Sequence, residues 1–223
     1  MIRILLCGEG PHDVGLQEWD PRSRRHVIRE GWLQNLARQL TDEPVEFLSC
    51  MRKELVLLPR QAKRPLPRGH GEKALAALIR GQSERCDVVV FMLDADSPDR
   101  VVWERKRSEI YDGFTRFPAI RGVACVPKSA SESWLLADPN AWLQVGLPDT
   151  RTLPQYPEEI WGVHNDPASN RPHNYFARMC QQAGQTDSRE TRALLAIVSA
   201  TEALGEKCPI SFMGFADDFR AAI

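Results

Sequence analysis

Four short apolar runs recur along the first part of the chain, at residues 2–7, 45–50, 87–93 (DVVVFML) and 123–126. Brief, β-branched runs of this kind fit parallel strands buried on both faces. Between them the spacing becomes helical. Residues 27–40 place Ile28, Trp32, Leu33, Leu36 and Leu40 on one face, and residues 71–80 group Leu75, Leu78 and Ile79. Residues 98–114 are highly charged and open with proline, a favoured first helical residue. The order β-α-β-α-β-α-β predicts an α/β fold, a three-layer sandwich around a mainly parallel four-stranded sheet. Two polar segments interrupt it. Residues 15–26 contain Arg22, Arg24 and Arg25; residues 52–70 contain Arg52, Lys53, Arg60, Lys63, Arg64 and Arg68 against one acid, Glu54, and read as an irregular loop broken by Pro59, Pro65 and Pro67. Beyond Pro139 a Pro- and Asn-rich stretch, 149–172, leads into helices expected at 174–183, 189–204 and 212–222. The expected division is an α/β domain over 1–138 with a helical C-terminal extension, 139–223, packed on it.

Composition narrows this reading. A chain of 223 residues buries a core without disulfide or metal staples. Cys7, Cys50, Cys86, Cys125, Cys180 and Cys208 include no C-x-x-C pair, so neither a zinc knuckle nor a disulfide framework is expected. No segment approaches the roughly 20 apolar residues of a membrane span, and the apolar N-terminal run is too short for a signal peptide. The expectation is a cytoplasmic protein with no membrane partner. The net charge of −1 gives no global attraction to polyanions. Any nucleic-acid footprint must be local, and the two Arg/Lys-rich segments are the places for it.

The candidate chemistry lies at the ends of the first and third strands. Gly8-Glu9-Gly10 closes the first, with Asp13 four residues on; Leu93-Asp94-Ala95-Asp96 closes the third. Ligands of open α/β sheets bind at the carboxyl ends of the strands. The alternating spacing of Asp94 and Asp96 sends both carboxylates the same way from an extended backbone. If the two strands are neighbours, Glu9, Asp94 and Asp96 converge. Clustered carboxylates repel, and a hard cation such as Mg²⁺ or Mn²⁺ is the usual resolution. The competing reading of the D-x-D is a helix cap, since Ser97-Pro98 follows and Asp96 or Ser97 suits an N-cap.

With these residues in place, the sequence resembles the Toprim domain, which pairs a Glu after its first strand with a D-x-D after its third. Glu9, Asp94 and Asp96 match that pattern, Asp13 matches a second acid of the OLD-nuclease-like branch, and the resemblance covers roughly residues 1–138. It is closer to uncharacterised bacterial Toprim-like proteins with an E-x-W-L-L-A-D segment, here Glu132 to Asp138, and an S-F-x-x-F segment, here Ser211 to Phe215. The Arg-rich insertion after Asp13 and the long basic loop depart from that pattern. The resemblance implies a divalent-metal-dependent nuclease with Mg²⁺ or Mn²⁺ as cofactor, the effector of an ATPase-linked bacterial defence system. Its metal ligands would be Glu9, Asp13, Asp94, Asp96 and Glu132, and Lys128 would neutralise charge on the phosphate. The alternative is a non-catalytic interaction subunit of an ATPase complex.

Several further residues are expected at such a site. His12, Arg22, Arg24, Arg25, Lys63, Arg64 and Arg68 are candidates for substrate binding. His164, Asn165, Asp166, Asn170 and His173 form a polar cluster read as a turn-rich loop. Trp134, Leu135 and Leu136 are expected in the core. The expected partners are nucleic acid, DNA or RNA, and an ATPase; a homo-oligomer stays open. A small-ester phosphotransferase or phosphatase lacks a Gly-rich phosphate loop. Topoisomerase and primase activities lack, respectively, a DNA-gate domain with a clear nucleophilic tyrosine and a zinc-binding module.

Overall fold

The structure, a computed structural model, describes residues 1–22, 24–57 and 66–223; of residues 17, 18, 20 and 25–28 it describes the backbone alone. Four strands, β1 (Ile2–Gly8), β4 (Val45–Met51), β5 (Val88–Met92) and β6 (Arg121–Cys125), form an all-parallel sheet in the order β4-β1-β5-β6. The fold is α/β, and β1 and β5 are adjacent, with Cys7 opposite Phe91 at the end of their shared register.

Each strand feeds two cores, which is why the apolar runs show no polar alternation. Ile4, Leu6, Val88, Val90, Met92, Val123 and Cys125 face one layer; Leu5, Cys7, Val89, Phe91, Leu93 and Ala124 face the other. Helices α3 (Gly71–Ser83) and α4 (Arg100–Thr115) cover the second face with Ala74, Ala77, Leu78, Trp103, Ile110 and Phe114. The first face is covered by α1 (Pro11–Val14) and α2 (Trp32–Arg38) together with the C-terminal helices, in one continuous core. These are α5 (Glu132–Leu135), α6 (Pro139–Gln144), α7 (Pro172–Gln182), α8 (Arg189–Val198), α9 (Thr201–Lys207) and α10 (Ser211–Ala222).

The E-x-W-L-L-A-D and S-F-x-x-F segments meet in that core. Trp134 is fully buried, edge-on to Phe212 and stacked on Phe215 at centroid distances of 5.4 and 5.6 Å, and its Nε1 donates to Ser211 Oγ at 2.7 Å. Leu135 and Leu136 are buried beside it. Asp138 caps α6 by accepting from Asn140 N at 2.8 Å.

The structure departs from the sequence reading at three helices. The helix expected at 27–40 starts at Trp32, because residues 25–29 instead form β3 (Arg25–Arg29), paired antiparallel with β2 (Leu16–Asp20). Over so short a window, β-branched Val27 and Ile28 fit a helical face and a strand equally. That hairpin also replaces the polar interruption expected at 15–26. The helix expected at 189–204 breaks at Ser199 and Ala200, where Ala200 N donates to Asp138 Oδ2 at 2.8 Å instead of continuing the helical ladder. The cap of α4 is Asp99, which accepts from Val101 N at 2.8 Å, so neither Asp96 nor Ser97 serves as its N-cap. Among the described residues no helix is long and apolar enough to cross a membrane, and the six cysteines are buried free thiols.

Because Trp134 joins three ring contacts, to Trp32, Phe212 and Phe215, to a buried hydrogen bond, Trp134→Ala is expected to cost about 3–5 kcal/mol of folding free energy. Denaturant unfolding followed by far-UV circular dichroism measures this. A loss below about 1 kcal/mol would show that the two segments do not stabilise one another.

Candidate metal centre

The parallel arrangement brings the ends of β1, β5 and β6 to one edge. Past the sheet, the two connections from β5 and β6 stay bonded: Leu93 N donates to Cys125 O at 3.0 Å, Ala95 N to Pro127 O at 2.9 Å and Ser129 N to Ser97 O at 2.9 Å. This holds the D-x-D in place beside the loop that leads to Glu132. Asp96 takes a left-handed backbone, φ +52°, a conformation costly for most L-residues and tolerated by Asp. That turn ends the extended alternation. Asp94 keeps part of its surface open with its Oδ1 directed inward, while the Asp96 side chain is 56% exposed. The expectation that both carboxylates project the same way from a continuous strand is corrected accordingly.

Asp94 is the centre of the arrangement. Its Oδ1 is buried with no hydrogen-bond partner. Burial pushes its carboxyl well above the usual carboxylate range, and the charges of Glu132, Asp13, Glu9 and Asp96, in that order, push it further. The five acids nominated from the sequence are thus electrostatic neighbours.

Each of the other four is held by partners of its own. Glu9 Oε1 lies 2.6 Å from Arg52 Nη1, a charge contact without hydrogen-bond alignment. Asp96 faces Lys106 Nζ at 3.7 Å and Arg171 Nη2 at 3.8 Å. Asp13 is buried and accepts from Trp32 Nε1 at 3.0 Å and Gly10 N at 3.2 Å; burial raises its carboxyl despite these bonds. Glu132 Oε1 accepts from Arg192 Nη2 at 2.8 Å and lies 3.4 Å from His173 Nδ1. Burial pushes Glu132 up, but the His173 hydrogen bond and the Arg192 charge outweigh it and hold the carboxyl at about 2. Arg192 is itself buried and also bonds Asp187, at 2.7 and 3.0 Å. In this geometry, no three His, Cys, Asp or Glu side chains among the described residues are close enough to hold a metal ion. The donor set still fits a hard divalent cation in its chemistry. It is all oxygen, and the central carboxylate has an orphaned buried atom.

Lys128, expected to face the phosphate, is almost wholly buried and paired with Glu159. It is a tie between the β6 loop and the segment after α6, because a buried ammonium needs a close counter-charge. The lysine at the edge is Lys106, from the second turn of α4, whose Nζ donates to Asp94 O at 3.0 Å. A helix that follows a parallel strand starts at the carboxyl edge, so a basic residue in its first turns was a readable signal. Arg171, Arg192 and Asp187 were not nominated, and Arg52 was named only as part of the basic segment 52–70. Of the polar cluster at 164–173, His173 reaches Glu132 and Asp187, and its imidazole is raised mainly by the Glu132 hydrogen bond.

The remaining candidates are dispersed. His12 is exposed and lines a groove of about 360 Å³ with Asp187, Ser188, Arg189 and Glu190. Arg22 and Arg24 are exposed at the β2–β3 turn, and Arg68 is exposed ahead of α3. Lys63, Arg64 and the side chain of Arg25 lie outside the described residues. Comparison with known proteins finds no matching family model, no matching curated protein and no matching solved structure.

The raised Asp94 carboxyl has a testable consequence. A carboxyl whose folded-state value is raised binds its proton more tightly folded than unfolded, so stability falls as pH climbs from about 4 toward that folded value. Asp94→Asn removes this cost. The variant is expected to melt above the wild type near pH 7, by about 2–4 °C for each kcal/mol relieved. The gap should close below about pH 4, where Asp94 is protonated in the folded and the unfolded chain alike. Thermal unfolding in chelator across pH reads it; a variant that melts below the wild type at pH 7 would contradict it.

Proposed function

We propose that the chain is a divalent-metal-dependent phosphodiesterase of the Toprim type, acting on nucleic acid. The observation that carries the proposal is the buried, unpartnered Asp94 Oδ1 amid four further carboxylates at the carboxyl edge of a parallel sheet. A fold that needed this carboxylate only for stability would give that atom a donor, since an orphaned buried acceptor costs about 1–3 kcal/mol.

The residues divide the work by charge and position. Asp94, Glu9 and Asp96 would hold Mg²⁺ or Mn²⁺, with Asp13 and Glu132 behind them. The cation, when bound, supplies Lewis-acid polarisation of a phosphoryl oxygen. Arg52, Lys106 and Arg171 already face Glu9 and Asp96. They are the groups available to oppose charge on the phosphate once a cation takes over those acids. Arg192 keeps Glu132 ionised and fixes it in place. On the resemblance, the nuclease would act as the effector of an ATPase-linked defence system.

One observation favours a non-catalytic interaction subunit instead: Glu9, Asp96 and Glu132 each already face a basic side chain, so their charge is offset without a metal. The two readings differ in an assay. With Mg²⁺ or Mn²⁺, the wild type is expected to cleave plasmid, single-stranded DNA or RNA. Asp94→Asn should lose about a hundredfold or more of that rate, the scale set by losing one preorganised electrostatic contact. Mg²⁺ should raise the melting temperature of the wild type and not that of the variant. A wild type that neither cuts nor responds to either ion, even with a partner ATPase present, would favour the interaction subunit.

A further inference from the structure

The segment between α6 and α7 has a property that the metal centre does not use. Its second half, residues 158–171, is tied to the carboxyl edge at both ends. At one end Glu159 pairs with buried Lys128, and Ser129 Oγ donates to Glu158 O at 2.9 Å. The Glu158 carboxylate accepts from Ile210 N at 2.9 Å and Ser211 N at 3.1 Å, so this end is also locked to the start of α10. At the other end Arg171 reaches Asp96.

The backbone between these ties is braced from within and from α7. Ser169 Oγ donates to Val163 O at 2.7 Å, Arg178 Nη1 to Pro167 O and Ser169 O at 2.7 Å each, and Asn174 Nδ2 to Asp166 O at 2.7 Å. The two arms close at Gly162, where a Cβ would lie 2.7 Å from Arg171 N. So many bonds hold an indole at the rim of the acid cluster. The Trp161 ring lies 4.9 Å from the Arg171 guanidinium and keeps 36% of the residue's surface open. Holding a large aromatic half-exposed forgoes the burial that would otherwise stabilise it.

We propose that Trp161 and Arg171 form a subsite for one unpaired nucleotide, with the base stacked on the indole–guanidinium pair and the adjoining phosphate directed toward Asp96 and Lys106. This rests on the nucleic-acid reading and narrows its substrate to single-stranded segments or ends. Both groups are planar and sequence-tolerant stacking surfaces, and the guanidinium adds positive charge beside them. The Trp161–Arg171–Asp96 chain of contacts, 4.9 Å and then 3.8 Å, puts the stacking surface next to the acids. A base paired inside a duplex cannot offer its face to such a surface, so the subsite selects against blunt duplex.

The test is fluorescence anisotropy in EDTA, which separates binding from cleavage. The probes are a labelled single strand of about a dozen nucleotides, as DNA and as RNA, its blunt duplex, and a strand carrying abasic positions. Trp161→Ala is expected to weaken single-strand binding about tenfold. Duplex binding, binding of the abasic strand and the melting temperature should stay at wild-type values, and Trp161→Phe should retain most of the affinity. A Trp161→Ala protein that binds the intact single strand as the wild type does would overturn the subsite. An equal loss on all probes would do the same, assigning Trp161 to loop structure. In both cases cleavage by the wild type, lost in Asp94→Asn, would leave the phosphodiesterase reading standing. A wild type that binds no strand and cuts none would remove both.

Discussion

Asp94 ends a strand from which water is excluded, and its charge has no direct partner. That unrelieved carboxylate organises the edge around it. Each neighbouring acid raises the cost of ionising Asp94, and each is held in turn by a base or by N–H donors: Glu9 by Arg52, Asp96 by Lys106 and Arg171, Glu132 by Arg192 and His173, and Asp13 by Trp32 and Gly10. In a low-dielectric setting, carboxylates that feel one another's charge require counter-charge. The edge is therefore a balanced set of opposite charges with one atom, Asp94 Oδ1, left over.

The helical layer supplies much of that balance. Arg192 lies on α8 and His173 on α7, both far along the chain from Glu132, and Asp187 steadies both. Lys128 ties the β6 loop to the segment that carries Trp161 and Arg171. The C-terminal part is thus more than a cover for the sheet. It completes one core with β1, β5 and β6, and it contributes cationic groups to the candidate site.

The acids were legible in the chain because strand ends are legible. A buried parallel strand shows as a continuous apolar run, and the first polar residue after it stands at the carboxyl edge wherever the strand lies in the sheet. Glu9, Asp94 and Asp96 follow from that rule; Glu132, four residues beyond the first polar residue after its strand, was named only through the resemblance. The hairpin was not legible, since Val27 and Ile28 carry no pattern that separates a strand from a helical turn over five residues. Lys128 was misread because distance along the chain from a strand end does not say whether a side chain turns outward or beneath a loop. Its counter-charge, Glu159, is 31 residues away.

Local pattern by itself determined the α/β class, the four-stranded parallel sheet and the acids at its edge, because alternation, run length and strand-end position are short-range properties of the backbone. Tertiary structure alone decided which bases oppose those acids, why Asp94 and not Asp96 has a buried, unpartnered carboxylate oxygen, and where Trp161 stands relative to them. Charge pairing and burial depend on groups brought together from positions 52, 106, 171, 173 and 192. No local window holds that information, because the energy of an ion pair depends on separation in space and on the solvent around it.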